Sequence, residues 1–265
     1  MELLLVAVLL GIVEGLTEFL PVSSTGHLIV AGHLLGFTGP KADTFEIVIQ
    51  FGAILAVVAL ERRRIVGLLR PGGGGRFAGG RGLGLLALTT LPALAAGYLL
   101  HGPIKQHLFG PGPVAAGLFF GGVIILIVER YGPATRTAGL DGLDARQALL
   151  IGLFQCAALW PGVSRAAATI VGGLLAGVER RAAVTYSFLA AVPVLSAATA
   201  YDLLSSWTLL RAADALPFAV GLAVSFLAAA AAIRGFVALL GRWTLRPFAW
   251  YRLAVAALIY LFLVK

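Results

Sequence analysis

Apolar residues run along the chain in long blocks, broken by short clusters of arginine, glycine and proline. Six blocks, approximately 44–60, 84–101, 113–129, 183–201, 216–233 and 248–264, are long enough to cross a hydrocarbon layer of ~30 Å as helices. Two further blocks differ. Residues 1–20 are apolar but carry Glu14 and Glu18, and the 27–37 run that follows is too short to span. Residues 1–40 therefore read as a re-entrant helical hairpin, whose turn at Pro21 to Gly26 must be buried in protein or line a wet cavity. Residues 147–178 form a second broken segment, with Trp160-Pro161-Gly162-Val163-Ser164-Arg165 at the break. The expected fold is an all-α integral membrane protein: about six full transmembrane helices plus two re-entrant helical hairpins.

Composition agrees. The chain is 60% hydrophobic and only 12% charged, with a mean hydropathy of +0.97, which excludes an ordinary soluble domain. Its start, Met-Glu-Leu-Leu-Leu-Val-Ala-Val-Leu-Leu, lacks the basic stretch and small-residue cleavage site of a signal peptide, so this segment is expected on the mature protein. The single cysteine, Cys156, excludes an internal disulfide and a multi-cysteine metal site and reads as a small packing residue.

The 20 Lys/Arg against 12 Asp/Glu give a net charge of +8. No basic, aromatic-interleaved patch accompanies it, so nucleic acid is not an expected partner. The excess reads as topology. Arg62, Arg63, Arg64, Arg70, Arg76 and Arg81 crowd the loop after the first span, around a flexible Pro-Gly-Gly-Gly-Gly stretch, which makes that loop cytoplasmic. The other inside segments then hold Arg130, Arg136, Arg146, Arg180, Arg181, Arg234, Arg242 and Arg246, while the outside segments hold only Lys41, Lys105, Arg211 and Lys265. Arg165 and Arg252 remain within apolar segments, and Arg252 is expected to snorkel to the headgroups.

The two halves, 1–129 and 130–265, carry a weak repeat within one membrane domain, 1–265. Thr44-Phe45-Glu46 overlies Thr185-Tyr186-Ser187 at an offset of 141, and Pro21 with Ser24 overlies Pro161 with Ser164 at 140. On the charge topology the first hairpin enters from outside and the second from the cytoplasm, an inverted-topology repeat whose tips meet inside the membrane. Transporter folds keep their substrate sites there.

The chemistry is concentrated in residues 11–30. Glu14 and Glu18, spaced i, i+4, share a helix face on which two like charges repel, so a cation must answer them. Ser23, Ser24 and Thr25 supply hydroxyls and backbone N–H groups of the kind that open a helix and bind anions, and Gly26 lets a bulky group approach the backbone. Meeting tips bring Arg165 toward Glu14, Glu18, Ser24 and His27. An arginine forks onto phosphate oxygens, and N–H groups near Ser24 and Ser164 donate to the same group. Two carboxylates with phosphate oxygens form an all-oxygen site suited to Mg²⁺ or Ca²⁺ at Glu14 and Glu18. The expected ligand is a phosphate ester or diphosphate with an apolar tail in the bilayer. Ser24 with His27, His27 alone, or metal-bound water all fit as the attacking group. Glu46 and Gln50 read either as supports of this site or as ordinary interhelical hydrogen bonders. His33 reads as a hydrogen-bonded packing residue, and His101 and His107, in an outside Gly/Pro-rich loop, are not expected to bind metal.

The stretch Glu-Gly-Leu-Thr-Glu-Phe-Leu-Pro-Val-Ser-Ser-Thr-Gly-His (14–27) resembles the signature of the bacterial undecaprenyl-pyrophosphate phosphatases of the bacitracin-resistance type. The resemblance continues through 44–58, through Phe154 to Arg165 and through Tyr186 to Pro193. It implies hydrolysis of undecaprenyl diphosphate to undecaprenyl phosphate, renewing the carrier lipid of cell-wall synthesis and conferring bacitracin resistance. By the family pattern Glu14 and Glu18 bind the metal or position water, Ser24 or His27 attacks or relays the proton, and Arg165 clamps the diphosphate, with Ser23, Thr25, Gly26 and Ser164 as substrate contacts. The expected partners are a polyprenyl diphosphate, membrane lipids and, as a homodimer, a second copy of the chain. The expected place is the bacterial plasma membrane, with the site opening to the outer face. The chain departs from the family after Arg165, where Ser-Gly-Ala-Thr is replaced by Ala166-Ala167-Ala168-Thr169. The rival function is a transporter or flippase of a lipid phosphate, which phosphate release by purified protein discriminates.

Overall fold

The computed structural model describes residues 3–70, 75–206, 214–240 and 243–264. Most of the Pro-Gly-Gly-Gly-Gly stretch (71–74), Arg211, Arg242 and Lys265 lie outside the described residues, as do the side chains of His101 and Lys105. Eleven α-helices follow in the described residues: α1 (Leu3–Thr17), α2 (Ser24–Leu34), α3 (Pro40–Leu60), α4 (Arg62–Leu69), α5 (Gly79–His107), α6 (Pro111–Tyr131), α7 (Ala145–Cys156), α8 (Arg165–Leu175), α9 (Arg180–Ser206), α10 (Ala215–Leu239) and α11 (Arg246–Ile259). Six of them, α3, α5, α6, α9, α10 and α11 with its π-helical extension Tyr260–Val264, are long and apolar enough to cross a membrane. The chain is an all-α, multi-pass membrane protein.

Two local expectations are corrected. The arginine-rich loop contains a helix, α4, because Arg-Arg-Arg-Ile-Val-Gly-Leu-Leu is amphipathic: Leu68 is buried against Phe77 and Leu85 while the three arginines stay exposed. And α5 runs on through Pro103 to His107, so His101 and His107 are helical; a proline removes one ladder hydrogen bond without ending a helix that neighbouring bonds sustain.

Glycines set the packing. A side chain at Gly11 or Gly15 would strike the α10 carbonyls of Gly221 or Ser225, and one at Gly52 would strike that of Leu222, so α1 and α3 lie backbone to backbone on α10. The matched order of these contacts makes the three helices parallel, and Lys41 pairs with Asp214 at their common N-terminal end. In the other half α7 runs parallel to α5: Arg81 donates to the Leu143 carbonyl and Thr89 Oγ1 to that of Ala148 (2.8 Å). α8 then returns beside α7, where Gln147 Nε2 donates to Ala176 O at 3.0 Å. The α1/α2 hairpin thus starts at the Lys41–Asp214 end and the α7/α8 hairpin at the Arg81–Leu143 end. α3, 21 residues long or ~31 Å at 1.5 Å per residue, links those ends. The two interruptions, after Thr17 and after Cys156, face each other between them.

Candidate functional site

Ser23 and Ser164 are the only described residues other than glycine with positive φ, at 73° and 72°. A serine in that region costs on the order of 1 kcal/mol or more and persists only where its surroundings hold it. Each caps a helix. Ser23 Oγ accepts from Gly26 N–H (3.4 Å) at the start of α2, and Ser164 Oγ accepts from Ala167 N–H (3.2 Å) at the start of α8. The residue matching Ser164 in backbone is therefore Ser23, at the same offset of 141 as Thr44 and Thr185, and not Ser24 at 140. Glycines let the turns pack without gaps: a side chain at Gly162 would fall 2.3 Å from Val114 O, and one at Gly117 2.5 Å from Pro161 O. What approaches Gly26 is the Val114 side chain of α6, 3.2 Å from where a Cβ would lie.

The turns enclose a cavity of about 120 Å³ lined by Glu18, Ser23, Ser24 and Thr25 from the first break, Trp160 to Gly162, Ser164 and Arg165 from the second, and Gln50 of α3. Two helix N-termini, α2 and α8, open onto it, and first-turn N–H groups lack intrahelical partners, which makes the cavity receptive to an anion. Inside it one cation and one carboxylate are fixed. Arg165 Nη2 donates to Glu18 Oε1 at 2.9 Å, and Ser24 Oγ donates to Glu18 Oε2. Arg165 Nη1 is held by Ser187 O (3.1 Å) and Oγ (3.3 Å), and the guanidinium lies over the Phe19 ring, 5.2 Å from its centroid. Its Nε is buried with no partner among the described residues, leaving a donor for a ligand.

Glu14 is fully buried and neither carboxylate oxygen has a hydrogen-bond partner among the described residues. A carboxylate keeps such a place only with a cation or a proton on it. Of the two carboxylates, Glu18 lines the cavity and Glu14 does not, and both Glu18 oxygens already accept hydrogen bonds, so a hard cation here would depend on phosphate oxygens and water for most of its ligands. Among the described residues no group of three or more His, Cys, Asp and Glu could hold a metal without such added ligands.

His27 is placed elsewhere. Its Nδ1 lies 2.7 Å from Ser23 O and therefore carries the proton, since a carbonyl only accepts; Nε2 meets the Tyr251 hydroxyl at 2.7 Å. The two rings stack, 5.6 Å apart and 3° from parallel. The structure brings Ser24 to Glu18 and not to His27. Gln50 reaches the cavity itself, while Glu46 lies one turn back on α3 near Gly32. His33 is exposed, not packed as expected.

Arg252 does not snorkel. It is fully buried and donates to carbonyls of three segments: Nη1 to Pro21 (3.0 Å), Nη2 to Gly162 (2.9 Å) and Gly117 (3.1 Å), and Nε to Leu118 (3.3 Å). It ties both breaks to α6. Snorkelling loses because the groove of Gly117 and Gly121 admits the guanidinium beside four acceptors; a Cβ at Gly121 would lie 2.0 Å from Nη2. Thr169 and Ser187, hydrogen-bonded to each other at 2.7 Å behind Arg165, were also missed. Thr169 sits four residues after Arg165, and Ser187 lies at offset 141 from Glu46, signals that spacing alone carries. Ala166 and Ala167, where the chain departs from the family pattern, are buried in the core and line none of the cavity.

Residues 7–258 match the family described as bacitracin resistance protein BacA. Three relatives bear the name undecaprenyl-diphosphatase. One from Nitratidesulfovibrio vulgaris is 59% identical over 260 residues, 98% of each chain. One from Oleidesulfovibrio alaskensis is 58% identical over 260 residues, again 98% of each, and one from Desulfovibrio desulfuricans is 54% identical over 265 residues, the whole of both. With the family match over residues 7–258 and such identity along nearly the whole length, the chain belongs to the BacA family of bacitracin resistance proteins.

Proposed function

We propose that this chain hydrolyses undecaprenyl diphosphate to undecaprenyl phosphate and inorganic phosphate, recycling the carrier lipid for cell-wall synthesis and thereby conferring bacitracin resistance. The observation that carries the reading is Ser24 Oγ donating to Glu18, whose other oxygen is held by Arg165, at two converging helix N-termini. The terminal phosphate enters that cavity while the polyprenyl tail stays in the bilayer. Ser24 Oγ attacks the terminal phosphorus, its proton passes to Glu18, and the bond to the bridging oxygen breaks, releasing the lipid monophosphate. Water then attacks the phosphoserine, and Glu18 returns the proton to the departing Ser24 oxygen. One proton of the water stays on the phosphate and the other is released. Arg165 and the N–H groups of α2 and α8 stabilise the charge on the transferring group. His27 positions the Ser23 turn through its bond to Ser23 O.

A Mg²⁺ or Ca²⁺ ion held by Glu14 and Glu18 would supply charge neutralisation for the phosphate oxygens. Purified protein in detergent, given a polyprenyl diphosphate, is expected to release phosphate, and excess chelator to abolish the release. Turnover that persists in chelator would remove the metal from the reading, and absence of any release would remove the phosphatase.

The hairpins 1–40 and 147–178 are read as re-entrant, with 1–129 and 130–265 as inverted repeats of one membrane domain; their opposed breaks support this. The charge bias supports a plasma-membrane orientation with the site open to the outer face. With Cys156→Ala as background, Thr38→Cys is expected to react with a membrane-impermeant maleimide in intact cells, and Gly80→Cys only after lysis. Thr38 is exposed, and Gly80 has open space for a side chain. The reverse pattern would turn the site toward the cytoplasm.

A further inference from the structure

A second cavity is larger than the one between the breaks. A groove of about 910 Å³ lies between the C-terminal halves of α3 and α10, lined by Ala56, Ala59, Leu60, Phe226, Leu227 and Ala230, and closed at one end by Glu61, Arg62, Arg63, Arg64 and Arg234. Its origin is plain in the sequence. Leu222, Phe226, Ala230 and Arg234 recur every four residues, so they form one stripe of α10. At Leu222 this stripe touches α3 through Gly52, and beyond that contact the groove opens beside Ala56, Ala59 and Ala230.

The charged end is unbalanced. Glu61 is already paired with Arg64. Arg62, Arg63 and Arg234 are exposed and have no carboxylate partner among the described residues, whereas Arg180 is neutralised by Glu129 at 2.8 Å and Arg165 by Glu18. From Ala56 to Leu60 the apolar wall runs ~6 Å along α3, by the rise per residue, and the arginines at the start of α4 with Arg234 close its end. That wall accommodates the first part of an acyl chain beside a headgroup held at the arginines. Leu227, 65% exposed, leaves the apolar wall open sideways to lipid. A dissolved anion has no use for such a wall, and a neutral lipid has none for three spare guanidinium groups.

We propose that this groove is a binding site for one anionic phospholipid, its phosphate on Arg62, Arg63 and Arg234 and one acyl chain on Ala59, Phe226 and Ala230. Basic pockets between helices at the arginine-rich end of a membrane protein take anionic headgroups in this way. The site is separate from the cavity of Ser24 and does not depend on the reaction assigned there.

The test is mass spectrometry of the intact, detergent-solubilised protein titrated with phosphatidylglycerol, with phosphatidylcholine as the neutral lipid. The native chain should retain one phosphatidylglycerol at least ~10-fold more tightly than phosphatidylcholine. Arg62→Gln/Arg63→Gln/Arg234→Gln should lose about 100-fold in that affinity, from roughly a contribution per arginine that each headgroup contact makes. Ala59→Trp keeps every charge but fills the acyl slot, and should lose the lipid as well. Arg130→Gln, an exposed arginine away from the groove, should change nothing. Equal loss with Arg130→Gln, retention by the triple variant or by Ala59→Trp, or displacement by millimolar inorganic phosphate would overturn the proposal. The comparison of the two lipids and the phosphate competition need only the native chain.

Discussion

Ser24→Ala is expected to lower kcat for phosphate release by at least ~10⁴-fold, and Glu18→Gln by ~10²- to 10⁴-fold, with both proteins still inserting and purifying. The first removes the oxygen that bonds to phosphorus. The second keeps the shape of the carboxylate and a hydrogen-bond acceptor for Arg165, but takes away the group that receives the Ser24 proton. KM should move much less than kcat in both, because the helix N-termini that receive the phosphate are untouched. A mass shift of one phosphate on the Ser24 peptide, trapped by acid quench of the native enzyme and absent from Ser24→Ala, checks the covalent step. Turnover of Ser24→Ala within tenfold of the native rate would transfer the attack to water or to His27.

Arg165 makes the sharpest contrast between chemistry and stability. Removing it takes from the buried Glu18 its guanidinium partner, so Arg165→Ala loses folding stability as well as activity. Arg165→Lys keeps the charge but has neither the fork that joins Glu18 to Ser187 nor the free Nε. Comparison of the two separates the clamp from the counter-ion.

Much of this was legible before any coordinates. Spans of apolar residues announce themselves because lipid tolerates little else, and Glu14, Glu18 and Arg165 stood out because a charge at that depth requires a reason. The convergence of the two breaks followed from the direction of the loops. What was not legible has a common cause: it rests on which atom faces which. Ser24 and His27 are three apart on a helix and look like a nucleophile with its base, but the left-handed Ser23 turns the α2 entry so that Ser24 points to Glu18 and His27 to Tyr251. Tyr251 carries no mark in the sequence, since its partner is 224 residues away. The offset of 141 was available from Thr44 and Thr185, yet the shared Pro-x-x-Ser spacing favoured 140; only backbone dihedrals separate Ser23 from Ser24 as the counterpart of Ser164.

Arg252 shows the same limit in the energetics and yields the other large expectation. Its guanidinium belongs to neither break yet touches both, through Pro21 O and Gly162 O. Those two carbonyls lie in turns, whereas Gly117 and Leu118 sit inside α6, whose own ladder serves their oxygens. Arg252→Met should therefore orphan two buried acceptors and destabilise the protein by about 2–6 kcal/mol, at roughly 1–3 kcal/mol for each unmet buried group. Arg252→Lys should recover little, because three ammonium donors on one atom cannot reach acceptors spread across three segments. Gly121→Ala offers an independent route to the same result: its Cβ would occupy the position 2.0 Å from Nη2, displacing the guanidinium without removing its charge. If the staple sets the register of the breaks, Gly121→Ala lowers kcat by ~10²-fold, the loss expected when reacting groups move by about 1 Å, and lowers the unfolding midpoint in detergent less than Arg252→Met does. Should Gly121→Ala instead melt and turn over like the native chain, Arg252 holds α6 and α11 together but does not position the site.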